Sequence, residues 1–208
     1  AGAEPRRSSA PLPEGFQYES VRSLRESSSR RSAFAGITAG HLYGWYRDNA
    51  FCGRCGSRFE HSPTERAKLC PSCGNISYPR ISPAVIVAVT DGDKLLLSRY
   101  AQGEYRRDSL LAGFTEIGES AESTVDREVF EETGIRVKNI RYYKSQPWGL
   151  SGSLLLGYFA ELDGDPAITL DTNELSEARW VPRNEICFED DGISLTGEMI
   201  RRFIEKII

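Results

Sequence analysis

The chain has 208 residues, 39% of them apolar and 27% charged, with 26 Lys and Arg against 30 Asp and Glu and a formal net charge of −4. This is ordinary globular composition, with length enough for a buried core in one large domain or two small ones. The mild acidity excludes a broad nucleic-acid footprint while leaving room for a local basic groove, and no apolar run approaches the roughly 20 residues that span a bilayer.

Residues 1–15 are rich in Pro, Ser, Gly and charge and read as an irregular arm. Residues 16–31 form a weak strand or helix followed by a serine- and arginine-rich loop. Residues 33–47 read as a short helix with an apolar face, in which His41 is a packing or surface side chain. Cys52-Gly-Arg-Cys55 and Cys70-Pro-Ser-Cys73 follow, separated by 14 residues. Each pair forms a tight knuckle, and two knuckles give a closed tetrahedral four-cysteine zinc site with no open position, hence a structural one. His61 is surplus beside four thiolates. Metal-holding cysteines, with no apolar signal-peptide core at the start, suit a reducing cytoplasmic setting. Cys187, the fifth cysteine, reads as a small buried apolar residue.

Residues 75–83 form a connector with two prolines. Residues 84–90 (AVIVAVT) make a buried strand, and Asp91-Gly92-Asp93 turns into a partner strand at 94–98. Residues 100–108 read as a polar loop and 110–114 as a strand end. Ser120 then caps a helix from about Ala121 to a left-handed stop at Gly134. Residues 137–144, 153–162 and 175–181 are further strands. Residues 195–208 close the chain as a helix whose stripe of Met199, Ile200, Phe203, Ile204 and Ile207 is core or dimer contact. Strands bracketing one central helix and a closing helix suggest an α+β sandwich with a mixed sheet.

The chemistry concentrates in 113–135. Glu128, Glu131 and Glu132 fall at i, i+3 and i+4, so three carboxylates share one helix face and repel. A cation relieves that crowding, and carboxylate oxygens suit Mg²⁺ or Mn²⁺ shared with substrate phosphates. Gly113, five residues, Glu119, seven residues and then Arg127-Glu128-Val129-Phe130-Glu131-Glu132-Thr133-Gly134-Ile135 resembles the Nudix box at every defined position. Downstream lies Ser145-Gln146-Pro147-Trp148. With the preceding four-cysteine ribbon, these tracts are similar in order and spacing to the NADH pyrophosphatase subfamily of Nudix hydrolases, also known as RNA NAD-decapping hydrolases. The resemblance covers about Trp45 to the C-terminus. It departs in two places. The family tract usually continues with further prolines where this chain has Gly149-Leu150-Ser151-Gly152-Ser153, and the family carries a longer domain before the ribbon.

The resemblance implies a Nudix α/β/α sandwich with a mixed sheet at 80–208, a zinc ribbon at 49–79 and a short N-terminal segment at 1–48. It implies that Glu128, Glu132 and Glu174, with the Ala112 carbonyl, hold Mg²⁺ or Mn²⁺. Glu131 stands beside them, and Glu177 is the less favoured neighbour of Glu174. Glu119 and Arg127 pair to lock the loop to the helix between Gly113 and Gly134. Phe114 and Tyr78 match positions that pack on a base, Gln146 to Ser153 line the dinucleotide pocket, and Glu65 and Ile200 match further substrate-side positions. The implied activity is hydrolysis of NAD(H) to NMN(H) and AMP, extending to NAD-capped RNA, by a homodimer without membrane attachment. Hydrolysis of ADP-ribose, FAD or another nucleoside diphosphate derivative would use the same acidic face. A non-catalytic nucleotide sensor or zinc-ribbon adaptor would not need it.

Overall fold

The computed structural model describes residues 11–101, 107–190 and 192–207. The first ten residues of the expected arm, the middle of the polar loop before the box, and Ile208 lie outside them. Ser29 accepts the Ser32 N–H at 3.3 Å and starts α1 (Arg30–Asp48) three residues before the apolar pattern does. Ahead of it, Val21–Glu26 forms a 3-10 turn. That turn lies on α1 at Gly36, where an added Cβ would sit 2.6 Å from Leu24 Cδ1.

The ribbon follows as β1 (Glu60–His61), β2 (Lys68–Leu69) and β3 (Ile76–Ser77), an antiparallel sheet in that order. Its buried apolar cluster consists of Cys52, Phe59 and Cys70, too few contacts to hold a lobe of this size without a staple.

The larger body contains β4 (Ser82–Asp91), β5 (Lys94–Tyr100), β6 (Leu111–Phe114), α2 (Ala121–Thr133), β7 (Val137–Trp148), β8 (Ser153–Leu162), β9 (Leu175–Pro182) and α3 (Leu195–Ile204). Among the described residues its sheet runs β7-β8-β4-β5-β9, with β6 paired to the first half of β4. The β4–β8 pair is parallel and the others antiparallel, so the sheet is mixed, as expected. The middle of β4 is an unbroken apolar run because both its faces are covered. Val85, Val87 and Val89 pack toward Val125 and Val129 of α2, while Ile86 and Ala88 pack toward Met199, Ile200 and Phe203 of α3. Two helices on opposite faces of one sheet give the α/β/α sandwich.

Three expectations need correction. The strand expected over 137–144 runs further, and β7 continues to Trp148. It is the edge of the sheet, where a proline is best tolerated. The connector before β4 contains β3, and β4 itself begins at Ser82. Helix α3 stops at Ile204, which still packs against the core, and with Lys206 at φ 57° it leaves Ile207 exposed, so the core stripe ends at Ile204.

Candidate active site

Helix α2 carries the three clustered carboxylates and is fixed at both ends. Ser120 Oγ accepts the Ser123 N–H at 3.1 Å, and Gly134, at φ 70°, donates its N–H to the Phe130 carbonyl at 2.7 Å. A left-handed stop of this kind favours glycine.

Arg127 organises the loop before the helix. Its Nε and Nη2 donate to the two Glu119 carboxylate oxygens at 2.6 and 2.9 Å, a fork-to-carboxylate pair. Nη1 donates to Glu128 at 2.9 Å and Glu131 at 3.0 Å, and Nη2 also reaches the Phe114 carbonyl at 3.0 Å. Glu119 further accepts the Glu116 N–H and the Thr124 hydroxyl, both at 3.0 Å. The Arg127 hydrogen bonds, supported by these two donors, hold its carboxyl down at about 2. The expected Glu119–Arg127 pairing is present, and one guanidinium ties β6, the loop and α2 together.

The acidic face is half sealed. Glu132 is 2% exposed and Glu128 is buried, whereas Glu131 and Glu174 reach solvent. Burial, then the charges of Glu128, Glu174, Asp171 and Glu131, push the Glu132 carboxyl up to about 8. Burial also raises Glu128, opposed by the Arg127 guanidinium. Glu132 Oε2 is buried and has no hydrogen-bond partner. An orphaned carboxylate oxygen among four other acids is what a divalent cation would satisfy, and an oxygen-rich donor set suits Mg²⁺ or Mn²⁺. Glu128 and Glu132 are therefore the candidate ligands, with Glu174 near enough to act on both by charge, while the oxygens of the three do not gather within 4.8 Å as the ribbon sulfurs do. The Ala112 carbonyl lies on β6, paired with Ile86, one residue before the glycine that faces Glu128. Asp171 escaped the sequence reading. The chain returns there, with the Asp171 N–H on the Glu132 carbonyl at 3.0 Å, and its only sequence signal was an acid three residues before Glu174. Glu177 instead pairs with Arg99 at 3.0 Å and Arg179 at 3.2 Å on the β5–β9 ladder.

The ribbon's four sulfurs lie within 4.8 Å of one another, with Cys52 and Cys73 at 3.7 Å and Cys55 and Cys70 at 3.4 Å. Four thiolates about 2.3 Å from one zinc stand about 3.8 Å apart, so the cage fits. Cys187 is exposed, against expectation, because it follows the short turn after β9 and not a core strand.

The expected substrate-side residues divide. Tyr78 and Phe114 are both exposed, and the Tyr78 hydroxyl donates to Glu65 at 3.1 Å. Phe114 and Thr115 line a cleft with Arg80 and Ile81. A second cavity of about 500 Å³, which also reaches Ile81, is lined by Gln146, Pro147, Trp148, Gly149, Leu150 and Ser153 on one side. Its other wall is α1, which sequence reasoning left without a role. Ser151 hydrogen-bonds Ser153 at 2.9 Å, and Gly152, at φ 70°, turns the chain between β7 and β8. Ile200 is wholly buried beneath α3, so its side chain packs in the core and lines neither cavity.

A mixed-sheet α/β/α sandwich whose central helix presents this carboxylate face, preceded by a four-cysteine ribbon, defines a Nudix-type domain. Residues 80–203 match the NUDIX domain model and residues 47–78 match the NADH pyrophosphatase zinc ribbon domain. The chain belongs to the NUDIX family. It is 41% identical over 164 residues to the NAD-capped RNA hydrolase NudC of Salmonella typhi, and 41% identical over 165 residues to that of Shigella flexneri. Each alignment covers 79% of this chain and 62% of the relative, so the chain spans under two thirds of the length of these curated relatives. Among solved structures, a NUDIX hydrolase from Nitrosomonas europaea superposes with a TM-score of 0.61 at 24% identity, covering 75% of this chain and 90% of that one. The NUDIX domain of Shewanella oneidensis NrtR, complexed with ADP ribose, gives 0.51 at 19% identity over 63% and 91%. These two likenesses establish the fold. Among the described residues no helix is long and apolar enough to cross a membrane.

Proposed function

We propose that the chain hydrolyses the pyrophosphate bond of NAD(H), giving NMN(H) and AMP, and that the same bond is its target at the 5′ end of NAD-capped RNA. The observation that carries the hydrolytic reading is the orphaned, buried Glu132 oxygen beside Glu128 and Glu174. The name of the curated relatives, together with the ribbon match, supports the substrate class. In this reading Glu128, Glu132, Glu174 and the Ala112 carbonyl hold Mg²⁺ or Mn²⁺. Bound there, divalent cations neutralise the pyrophosphate and acidify water. Arg127 keeps the Glu128 carboxylate turned to the face, and Glu131 or Glu174 accepts the proton of the attacking water. The water oxygen bonds one phosphorus, the P–O–P bridge breaks, and the other phosphate leaves with the bridging oxygen. Phe114 and Tyr78 stack a base, worth roughly 1–3 kcal/mol by analogy with nucleic-acid platforms. A division at about residues 48 and 79, homodimeric assembly and a cytoplasmic setting belong to the same reading.

The test is a product assay with Mg²⁺ or Mn²⁺ on NADH, NAD⁺, ADP-ribose, FAD and a short NAD-capped RNA. NMN(H) and AMP as preferred products are expected. Preference for ADP-ribose or FAD would keep the acidic face and replace the substrate, and no cleavage of any compound would overturn the hydrolase reading.

A further inference from the structure

Between β8 and β9 the chain comes back along the C-terminal end of α2 and bonds to the backbone of the acidic helix itself. The Thr169 N–H donates to the Thr133 carbonyl at 2.8 Å, and the Asp171 N–H donates to the Glu132 carbonyl at 3.0 Å. Both acceptors belong to the last turn of α2, whose carbonyls have no partner within the helix. The approach is close: a Cβ on Gly134 would stand 3.1 Å from Thr169 Cβ. Asp171 is thus tied to the residue that carries the most deeply buried carboxyl of the face.

From that anchor the chain turns at once. Asp171 Oδ1 accepts the Asn173 N–H at 2.9 Å and the Asn173 side-chain amide at 2.8 Å. The Asp171 carbonyl accepts the Glu174 N–H at 3.3 Å and the Leu175 N–H at 3.0 Å. A side-chain oxygen that takes the N–H two residues on makes an Asx turn, which sets the local direction of the chain. On the far side the Glu174 carbonyl accepts the Ala101 N–H at 2.9 Å, and Leu175, wholly buried, begins β9. The backbone of Glu174 is held from both sides, and its exposed side chain is what has to close on an ion.

A half-buried carboxylate at this place could act as a brace through Oδ1 or through its charge alone. The turn asks only for a short side-chain oxygen, which asparagine also supplies. The charge, at the negative end of the α2 dipole and close enough to act on Glu132, is a cost to the fold. Geometry favours the brace, because Oδ1 is committed to two donors and the turn it makes leads directly to Glu174.

We propose that Asp171 is a positioning residue of the acidic face, whose Oδ1 braces the turn that delivers Glu174 from the end of α2 toward Glu128 and Glu132. Helix α2 sets those two carboxylates by itself, whereas Glu174 comes from a separate segment and depends on the turn. The proposal deepens the metal-dependent reading and rests on it for the ion that the three carboxylates share.

Calorimetric titration of Mn²⁺ into the zinc-loaded full chain reads the face without turnover, and steady-state kinetics on NADH reads it with turnover. Asp171→Ala, with zinc content and circular dichroism matched to wild type, should weaken Mn²⁺ binding and lower kcat by about 10-fold or more, with KM little changed, as for loss of a group that orients a metal ligand. Asp171→Asn keeps the acceptor oxygen and should bring both back to within about threefold of wild type. In a Glu174→Gln background, Asp171→Ala should add nothing, since a brace acts only through the residue it delivers. Wild-type behaviour of Asp171→Ala would overturn the proposal. So would an Asp171→Asn protein as damaged as Asp171→Ala, which would make the charge the working feature, or a full further loss in the Glu174→Gln background. The expected pattern of Mn²⁺ binding in a protein that cleaves no pyrophosphate would leave the brace standing and remove the hydrolase reading. A wild type that binds no Mn²⁺ would remove both.

Discussion

Gly113 and Glu128 occupy the same space up to one atom: a Cβ built on Gly113 would lie 1.8 Å from Glu128 Cδ and within 2.2 Å of both carboxylate oxygens. The backbone of β6 runs directly against the carboxylate, which α2 presses there and Arg127 holds. Gly113→Ala must therefore displace a group that the proposed mechanism needs in place. A 1 Å misplacement of a catalytic group can cost about 100-fold. We expect kcat to fall by roughly that factor with zinc content retained. Steady-state kinetics on NADH with matched circular dichroism checks it, and an unchanged kcat would remove Glu128 from the site.

Glu132→Gln should separate function from stability. Turnover should drop at least about 100-fold, consistent with loss of one group that stabilises developing charge. The folded-state pKa of about 8 lies above the ordinary carboxylate value of 4.5. Between those values the folded state keeps a proton that the unfolded state has released, so stability falls as pH rises through that window. In divalent-free buffer at pH 8 the variant should melt higher than wild type by about 3 °C or more, with no gain at pH 4. Added Mg²⁺ should raise the wild type selectively. Equal melting of the two proteins at pH 8 would contradict the burial assigned to this carboxylate.

The Glu119–Arg127 pair carries the opposite pH signature. Glu119 is held at about 2, below its ordinary value, so its contribution is present above pH 4.5 and fades as pH falls toward 2. Glu119→Gln should lower the melting temperature at pH 7, and the difference should close near pH 2. Arg127→Met should reproduce that loss and also cut kcat, since the same guanidinium orients Glu128 and Glu131. Full activity in Arg127→Met would limit the guanidinium to tying the loop to the helix.

Zinc should stabilise the ribbon locally. Among the buried residues its core is Cys52, Phe59 and Cys70, whereas β4 and the two helices have extensive clusters of their own. Cys70→Ser should therefore release the metal and expose amides in residues 50–78 to hydrogen exchange, while those of β4 and β8 stay protected. One zinc per chain by elemental analysis is expected for the wild type. Exchange that spreads through β4 would mean the two bodies unfold together.

Local chemistry, written in short stretches, was legible in the sequence. The caps of α2 at Ser120 and Gly134, the apolar run of β4, the carboxylates at i, i+3 and i+4, and the paired cysteines each follow from residue type and spacing over a few positions. So does the fold class, since the order of strands and helices limits how the apolar faces can be covered. The tertiary structure decided whatever depends on segments distant in sequence. Residue spacing does not reveal that Asp171 returns beside Glu132, that Ile200 points into the core, or that Cys187 is exposed. Nor does it reveal that α1 and the tract from Gln146 to Leu150, far along the chain, line one cavity. Burial decides the rest: Glu128, Glu131 and Glu132 are identical in sequence, and only packing makes one of them a sealed carboxyl near 8 and leaves another in water.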